Sequence, residues 1–407
     1  MTPALPRLAG SALAHAASVM PVTIVTGARQ TGKSTLVRDL APAGNRPYFT
    51  LDDLDILDQA ISAPDDLVTR ADRVTLDEVQ RAPQLLLAVK RAVDRRRRAG
   101  RFLLTGSANL LLMRHVSETL AGRATYLTLW PMTRREQLGM ARAGIWQELL
   151  ETTDDEWPEL IAAQPVARED WRTLAKRGGY PVPALDLHSD RARATWFAGY
   201  VQTYLERDLR DLSAIASLPD LRRLMRATCL RLGQLLNQAE LGRDVALPQP
   251  TVHRWLNLLE TSYQLVRLPA YAVNRTKRTI KTTKVYWADT GLALHLAGAN
   301  EPAGCQLENL VLTDLLAWRD TRPDHPEVLY WRTATGEEVD FVIEAGRTLL
   351  PIEVKATDRP RVGDGKHLRS FREEYGRRCR AGLVLHTGDA IEWLAPGALA
   401  APWWKVL

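Results

Sequence analysis

The sequence predicts an α/β protein with an N-terminal parallel sheet, a helical middle part that ends in winged-helix order, and a C-terminal α/β domain. Apolar strands alternate with helical segments over residues 1–145, which is typical of a parallel, doubly wound sheet. Three helical segments and two strands follow between residues 221 and 287. After residue 305, a helix precedes three consecutive strands, a second helix and two more strands.

Length and composition limit the number of domains and the class of protein. The 407 residues, 45% of them hydrophobic, are enough for about two to four domains. The net charge of +6 permits an acidic partner such as DNA, but it is a mild excess. Cys229, Cys305 and Cys379 are far apart in the sequence and suggest no disulfide framework, which favours a location in the reducing cytoplasm. The sequence contains no run suited to a bilayer span, and we expect the segment from Leu8 to Met20 to be a helix and not a signal peptide.

A glycine-rich turn lies between the first strand and the next helix, within the segment from Pro21 to Leu40. It has the P-loop pattern GxxxxGK[ST], in which backbone N–H groups and the positive end of the helix dipole hold phosphate oxygens. Lys33 is expected to reach the β- and γ-phosphates and Ser34 to hold Mg²⁺, so ATP and Mg²⁺ are the expected cofactors. The expected nucleotide-binding residues of the turn are Gly27, Gln30, Thr31, Gly32, Lys33, Ser34 and Thr35.

A second apolar strand, beginning at Val74, ends in the adjacent carboxylates Asp77 and Glu78, as in a Walker B motif. We expect Asp77 to hold Mg²⁺ through water and Glu78 to orient and polarise the attacking water. The alternative is an ordinary strand end with exposed acids, which the preceding P-loop disfavours.

Three further features of this part have two interpretations each. Ser107 and Asn109, after the strand from Arg101 to Thr105, are placed to sense the γ-phosphate or to cap the following helix. Arg123 is a candidate arginine finger for a neighbouring subunit's nucleotide, or a surface arginine. The run from Arg95 to Arg98 is expected to cap a helix C-terminus in solvent, with a DNA contact as the alternative.

The motifs GARQTGKST, LDEVQ, LTGS and LAGR resemble those of a prokaryotic family of AAA+-type ATPases that carry a C-terminal domain similar to PD-(D/E)xK nucleases. The resemblance implies an ATPase of the AAA+ class. Because this class often works as rings, it also implies a homo-oligomer. GGYP at residues 178–181 and YLERD at 204–208 extend the resemblance into the middle part. There, Arg207 either contacts nucleotide or a partner subunit, or pairs with a nearby acid.

The middle part is predicted to begin with an acidic segment, Gln147 to Asp170, that is a linker or a variable lid edge. A helix from Trp196 to Arg210 is predicted to follow. In the winged-helix order that follows, we expect the third helix to enter the major groove of DNA and the basic wing to contact phosphate. A winged helix that only packs against other domains is the alternative. The predicted helices are 221–236, 238–245 and 251–261, and the strands are 263–271 and 284–287. The expected DNA-binding residues are Thr251, His253, Arg254, Arg275, Lys277, Arg278, Lys281 and Lys284.

In the C-terminal domain, Asp340 lies on the second predicted strand, and Glu353 and Lys355 end the third. The order αβββαβ is that of the PD-(D/E)xK core. Strand alternation puts Glu353 and Lys355 on one face. We expect Asp340 and Glu353 to hold Mg²⁺, with Glu308 as a third oxygen ligand, and Lys355 to polarise water or stabilise developing charge. GEEVDF and PIEVK, which contain these residues, also resemble the same family. A nuclease fold kept only for binding or packing is the alternative.

The expected domains are an ATPase core at 1–145, a helical lid or linker at 146–211, a winged helix at 212–295 and a nuclease-like domain at 296–407. Together they predict an ATP-hydrolysing DNA-processing protein with Mg²⁺-dependent cleavage. A nucleotide switch with the nuclease fold as a scaffold is the second hypothesis. The long C-terminal half argues against a third, a small-molecule kinase.

Overall fold

A computed structural model describes residues 4–40, 46–106, 119–205 and 217–407. In this part of the chain, five strands form an entirely parallel N-terminal sheet, as the sequence predicts. The strands are β1 Val22–Thr26, β2 Tyr48–Thr50, β3 Val74–Asp77, β4 Phe102–Thr105 and β5 Ala124–Thr128. Their order is β2-β3-β4-β1-β5, so the carboxyl ends of β1, β4 and β3 are neighbours at one edge of the sheet.

Helices cover both faces of this sheet because its strands are apolar on both sides. The helices are α1 Ala9–Val19, α2 Lys33–Thr35, α3 Leu54–Ser62, α4 Pro64–Thr69 and α5 Leu85–Arg95, with a π-helical turn Leu36–Leu40 and a 3₁₀ turn Val79–Arg81. Ile24 and Leu104 belong to a core shared with α3, α4 and α5. Val25 and Leu103 belong to a second core shared with α1 and the turn after α2. This two-sided burial is the doubly wound arrangement.

The segment from Gln147 to Asp170, predicted as an acidic linker or variable lid edge, is mainly helical up to Ala162 and has no helix from Gln164 to Asp170. Trp146 and Trp157, at the starts of two of its helices, are fully buried and fix it against the core. The predicted helix from Trp196 begins earlier, at Asp190, and residues 206–210 lie outside the described residues. The helices are α6 Arg134–Gln137, α7 Trp146–Glu151, α8 Trp157–Ala162, α9 Trp171–Arg177 and α10 Asp190–Tyr200, with a 3₁₀ turn Asp154–Glu156 and π-helical turns Val182–Asp186 and Val201–Leu205.

Three helices and a two-stranded ribbon then follow in the predicted order. They are α11 Leu218–Leu230, α12 Gln238–Asp244, α13 Gln249–Thr261, β6 Leu265–Leu268 and β7 Lys284–Trp287. β6 and β7 are antiparallel, with Leu265 opposite Trp287. The strands are joined by the predicted basic segment, which contains a short helix, α14 Arg275–Ile280. Asn274 starts this helix by accepting a hydrogen bond from Thr276 N, which is a normal N-cap.

The C-terminal elements begin with α15 Thr290–Ala297 and α16 Gly304–Asp320. A mixed sheet of six described strands follows in the order β12-β13-β11-β10-β9-β8, and the predicted αβββαβ order is present. β13 is an addition that the sequence did not predict, and it lies between β11 and β12. The remaining elements are β8 Glu327–Arg332, β9 Glu338–Ala345, β10 Thr348–Lys355, α17 Lys366–Tyr375, β11 Gly382–His386, β12 Glu392–Ala395, β13 Ala398–Pro402 and α18 Trp403–Val406, with 3₁₀ turns Val362–Gly365 and Gly376–Arg378.

One apolar core joins the middle and C-terminal parts and extends from Ala28 to Leu407. Beside it, the buried guanidinium of Arg134 donates to the carbonyls of Trp404 (2.9 Å) and Leu407 (3.2 Å). Arg135 donates to the carbonyl of Lys405 at 2.9 Å. Hydrogen bonds from Arg134 and Arg135 thus hold the segment after β5 against the last residues of the sequence. Among the described residues, no helix has the length and apolar character of a membrane span.

Asp314, on α16, is buried at the same junction. Its Oδ1 accepts hydrogen bonds from Gly144 N (2.8 Å) and Trp146 Nε1 (2.6 Å). Burial raises the pKa of Asp314 to about 6. Because this lies above the unfolded value of about 3.9, the stabilising contribution of the carboxyl is complete below about pH 3.9 and is lost as the pH rises toward 6.

Asp314→Asn is therefore expected to cost more stability at about pH 4 than at about pH 7, by up to about 3 kcal/mol, because each pKa unit is worth about 1.4 kcal/mol. Urea unfolding at the two pH values measures the difference. Asp324→Asn, at an exposed aspartate, is the matched control. An Asp314→Asn cost that is the same at both pH values contradicts the assignment.

Candidate nucleotide site and acid–lysine site

Two glycines shape the loop between β1 and α2. Gly27 and Gly32 have positive φ angles of +136° and +91°. A Cβ at Gly27 would lie 2.3 Å from the carbonyl oxygen of Leu129, so only glycine fits there. The loop runs directly into α2 at Lys33, an arrangement that suits phosphate binding. It brings together the predicted residues Gly27, Gln30, Thr31, Gly32, Lys33, Ser34 and Thr35.

The Lys33 ammonium lies within this loop. Its side chain is buried, and Nζ donates to the carbonyl oxygens of Gly27 (3.2 Å) and Ala28 (2.7 Å). An ammonium held by loop carbonyls is positioned to exchange these acceptors for phosphate oxygens, which are stronger acceptors because they are charged.

Asp77 is the centre of a polar group at the carboxyl ends of the strands. Ser34 Oγ donates to Asp77 Oδ1 at 3.2 Å, which brings the two predicted Mg²⁺ residues together. Tyr48 OH donates to Asp77 Oδ2 at 2.5 Å, and the Thr105 hydroxyl donates to Oδ1. Burial, followed by the hydrogen bond to Asp77, raises the pKa of Tyr48, so this phenol stays a donor. With phosphate bound, Ser34 and Asp77 have the oxygen donors that Mg²⁺ prefers.

Glu78 has an unusual backbone conformation, with φ at +57°. Its N–H donates to Thr105 Oγ1 at 3.2 Å, and its carboxylate accepts from the Gln80 side-chain amide. A non-glycine residue in this region carries strain that the surrounding structure must hold, as often happens at functional sites. The backbone therefore leaves the extended conformation of β3 at Glu78, the residue after Asp77.

The remaining N-terminal predictions fall outside this group. Ser107 and Asn109 lie outside the described residues, as does Arg207. Arg123 precedes β5, at the sheet edge opposite the P-loop, and its Nε lies 2.6 Å from Asp94 Oδ1. Arg123 therefore lies at the opposite end of the strands from the P-loop of its own chain. Its role as an arginine finger for the nucleotide of a neighbouring subunit stays a prediction.

The acid–lysine site lies where β9, β10, α16 and the ribbon strand β7 meet. Asp340, on β9, accepts a hydrogen bond from Val354 N on β10 at 2.9 Å. Glu353 and Lys355 share a face of β10, as predicted from strand alternation, and Lys355 Nζ lies 2.6 Å from Glu353 Oε1. The other carboxylate oxygen, Glu353 Oε2, is buried and has no hydrogen-bond partner among the described residues.

Lys284 enters this site from β7 and corrects one prediction. Its side chain is only 2% exposed, so it is not available to bind DNA. Nζ lies 2.5 Å from Glu338 Oε1 and 3.4 Å from Asp340 Oδ1. Burial alone would lower the pKa of Lys284, but Asp340, Glu308 and Glu338 outweigh it and raise the pKa. The lysine is therefore a permanent counter-cation of the acidic group.

Two of the carboxyls have strongly shifted pKa values. Burial, followed by the charge of Asp340, raises the pKa of Glu353 to about 8. The same two causes raise the pKa of Glu308 to about 8. Four carboxyls and two lysines thus share one small volume, and at neutral pH the group retains protons unless a further cation is bound.

The described residues do not form the predicted metal site of three carboxylates, Asp340, Glu353 and Glu308. Among the described residues, no group of three or more His, Cys, Asp or Glu side chains is arranged to hold a metal ion. Glu308 Oε2 accepts a hydrogen bond from Tyr286 OH at 3.1 Å, and Lys284 lies beside Asp340. Asp340 and Glu353 remain a pair of carboxylates, and the unpartnered Glu353 Oε2 fits a cation ligand.

Three family models match successive parts of the chain. Residues 20–138 match an AAA domain, residues 168–303 match a domain of unknown function (DUF8612), and residues 303–406 match another (DUF4143). The uncharacterized proteins Rv2008c of Mycobacterium tuberculosis and Mb2031c of Mycobacterium bovis are each 30% identical over 366 residues, which cover 88% of this chain and 75% of the relative. The chain belongs to their family. With its AAA domain and P-loop, it is an ATPase of the AAA type.

Two solved structures match parts of this AAA-type ATPase at low similarity. The Walker-type ATPase PABY2304 of Pyrococcus abyssi is 17% identical, with a TM-score of 0.43 over 70% of this chain and 94% of the other. A STAND protein with a tetratricopeptide repeat sensor, PH0952 of Pyrococcus horikoshii, is 12% identical, with a TM-score of 0.23 over 77% of this chain and 46% of the other.

The predicted DNA-binding residues of this ATPase fall into two groups. Arg278, like Lys284, is buried, and its Nη1 lies 2.7 Å from Glu327 Oε2 and 2.6 Å from Glu344 Oε2, so its predicted DNA contact is wrong. The others are exposed or half-buried: Thr251, His253, Arg254, Arg275, Lys277 and Lys281. His253 and Lys281 line a cleft of about 840 Å³ between α12, α13 and residues 281–283.

Sequence reasoning missed several residues that contact the two sites. Thr105 ends β4 beside Asp77, so the parallel-sheet rule was a usable signal for it, whereas Tyr48 starts β2 and only its long side chain reaches Asp77. Glu338 shares a face of β9 with Asp340, so strand alternation was a usable signal for it. Lys284 and Tyr286 reach the acid–lysine site through the packing of the ribbon against the C-terminal sheet. No local pattern signals that packing.

Proposed function

We propose that this ATPase couples ATP hydrolysis to the processing of DNA, with Mg²⁺-dependent phosphodiester cleavage at Asp340, Glu353 and Lys355. The observation that carries the proposal is the acid–lysine site, where a buried carboxylate oxygen of Glu353 lacks a partner beside Asp340 and Lys355. The exposed cations near the cleft supply a surface suited to the phosphate backbone.

For ATP hydrolysis, each residue has a role that follows from its position. Lys33 binds the β- and γ-phosphates, Ser34 and Asp77 hold Mg²⁺, and Glu78 takes a proton from the attacking water. Arg123 is proposed to complete the site of a neighbouring subunit in a homo-oligomer.

For cleavage, Asp340 and Glu353 would hold Mg²⁺, which supplies charge stabilisation to the transferring phosphoryl group. The Lys355 ammonium, kept near by Glu353, is positioned to polarise a water molecule or to stabilise negative charge as it develops. Lys284 keeps the acidic group compensated when Mg²⁺ is absent.

A chain of contacts links the two sites. Tyr263 OH lies 3.0 Å from Thr26 Oγ1, at the end of the P-loop strand, and Tyr263 lies two residues before the start of β6. β6 pairs with β7, which carries Lys284 into the acid–lysine site. We propose that this series of contacts couples the state of the P-loop to Lys284, the cation beside Asp340.

Lys284→Met is expected to lower the melting temperature, because it removes the buried ammonium that lies beside the buried Asp340 carboxylate. MgCl₂ should restore part of this loss, and EDTA should reverse the restoration. Thermal unfolding with each additive measures the effect. Lys277→Met, at an exposed lysine of the same basic segment, is the control and should respond to neither. A Lys284→Met protein whose melting temperature is unchanged, or indifferent to Mg²⁺, contradicts the proposed charge balance.

The test of the whole proposal measures ATP turnover and DNA cleavage together, with single-stranded, duplex and branched DNA and Mg²⁺. DNA-stimulated turnover and nicking support it. An ATPase rate that ignores every form of DNA argues against it.

The same contact chain favours a second candidate, a nucleotide switch in which the C-terminal fold is a binding scaffold. Lys284 already occupies the acidic group, as it would in a site kept for packing. Slow, stoichiometric turnover without cleavage supports the switch, whereas fast DNA-stimulated hydrolysis excludes it.

A further inference from the structure

Arg7, just before α1, lies buried against the outer side of the P-loop and has no part in the predicted nucleotide site. Its Nη1 donates to the carbonyl oxygen of Thr31 at 2.7 Å, and its Nη2 donates to that of Trp130 at 2.8 Å. Its Nε donates to Glu136 Oε1 at 3.0 Å. The three bonds run to the P-loop, to the segment after β5 and to α6, so the guanidinium is held from three sides.

The bond to Thr31 has a consequence inside the loop. A trans peptide unit is planar, and its C=O and N–H point in opposite directions. Because Arg7 draws the Thr31 carbonyl outward, the N–H of Gly32 in the same peptide unit points inward, toward the space that the loop encloses. Gly32 has a left-handed φ of +91°, and a Cβ there would lie 3.4 Å from Arg7 Nη1. The guanidinium thus sits directly behind this peptide.

The charge of its neighbour decides whether Arg7 acts on bound phosphate through its positive charge or through its hydrogen bonds. Glu136 is 2% exposed, lies 3.0 Å away and compensates the guanidinium, so Arg7 adds little net positive field at the phosphates. Arg7 therefore affects the nucleotide site through its directional hydrogen bonds. The same Glu136 carboxylate also accepts from Leu8 N at 2.6 Å and from Thr133 N at 2.8 Å, which fixes its own position.

We propose that Arg7 is a positioning residue for ATP: it holds the Thr31–Gly32 peptide so that the Gly32 N–H faces the bound phosphates. The role goes beyond the proposed DNA processing, because it concerns nucleotide affinity alone. Arg7 does not touch the reacting atoms, so its loss should weaken binding more than it slows the chemical step.

The test measures the Kd of a fluorescent ATP analogue and the kcat at saturating ATP in the full chain. Arg7→Ala is expected to raise Kd by about 10- to 100-fold, the effect of losing a charge-assisted hydrogen bond, and to change kcat much less. Arg7→Lys, which keeps the charge but offers no planar fork, should fall between Arg7→Ala and wild type.

Because Arg7→Ala leaves Glu136 buried without its cation, the double variant Arg7→Met/Glu136→Gln serves as a second probe that buries no unpaired charge. It should also bind weakly at temperatures where circular dichroism finds it folded. Glu159→Gln, the same kind of substitution at an exposed glutamate on α8, is the control and should bind ATP with wild-type Kd. A folded double variant with wild-type Kd overturns the proposal, as does an Arg7→Ala defect confined to kcat.

Discussion

Replacement of Glu78 by glutamine is expected to reduce the kcat of ATP hydrolysis by about 10²- to 10⁴-fold while nucleotide binding is retained, because a general base is removed and the P-loop contacts are not. Glutamine has the same size as glutamate and still accepts a hydrogen bond from Gln80, so the strained turn at Glu78 keeps its local contacts. Phosphate release in the steady state and the Kd of a fluorescent nucleotide measure the two quantities.

The control for this prediction is Glu159→Gln, the same substitution at an exposed glutamate on α8. It should leave both kcat and Kd at wild-type values. If Glu78→Gln hydrolyses ATP at the wild-type rate, Glu78 is not the residue that activates water, and the strained backbone at that position has another cause.

Replacement of Asp340 by asparagine is expected to reduce Mg²⁺-dependent nicking of DNA by at least about 100-fold, because one of two carboxylates that would hold the metal loses its charge. The amide oxygen can still accept the hydrogen bond from Val354 N, so the strand pairing of β9 and β10 is preserved. Conversion of supercoiled plasmid to the nicked form, with Mg²⁺ and with EDTA, measures the loss.

Glu373→Gln, at an exposed glutamate on α17, should cleave like wild type. Lys355→Ala should lose cleavage as Asp340→Asn does. Cleavage that persists in both Asp340→Asn and Lys355→Ala would place the activity elsewhere or in a contaminant, and the ATPase prediction at Glu78 would be unaffected.

Much of the fold follows from local pattern. The P-loop, the carboxylates after β3 and the alternation of apolar strands with helices were enough to predict the parallel sheet. Alternation along β10 was enough to place Glu353 beside Lys355. These features succeed because the decisive physics, strand periodicity and glycine conformation, acts over a few neighbouring residues.

The errors arise where distant parts of the chain meet. Lys284 and Arg278 belong to a basic run that predicts exposure, yet acids on β8 and β9 bury them as ion pairs. The stretch that begins at Gln147 is acidic and aperiodic, but buried tryptophans anchor its helices. β13, rich in alanine, carries little strand signal of its own, and it forms because β11 and β12 flank it. Only tertiary contacts decide these cases.

The apolar core that extends from Ala28 to Leu407 has a consequence for dividing the chain into separate pieces. The matched segments 168–303 and 303–406 share this core, whereas the apolar residues of segment 20–138 lie mainly in the two cores of the N-terminal sheet. Separating 168–303 from 303–406 would expose apolar side chains that each segment covers in the other, so either segment expressed alone is expected to aggregate.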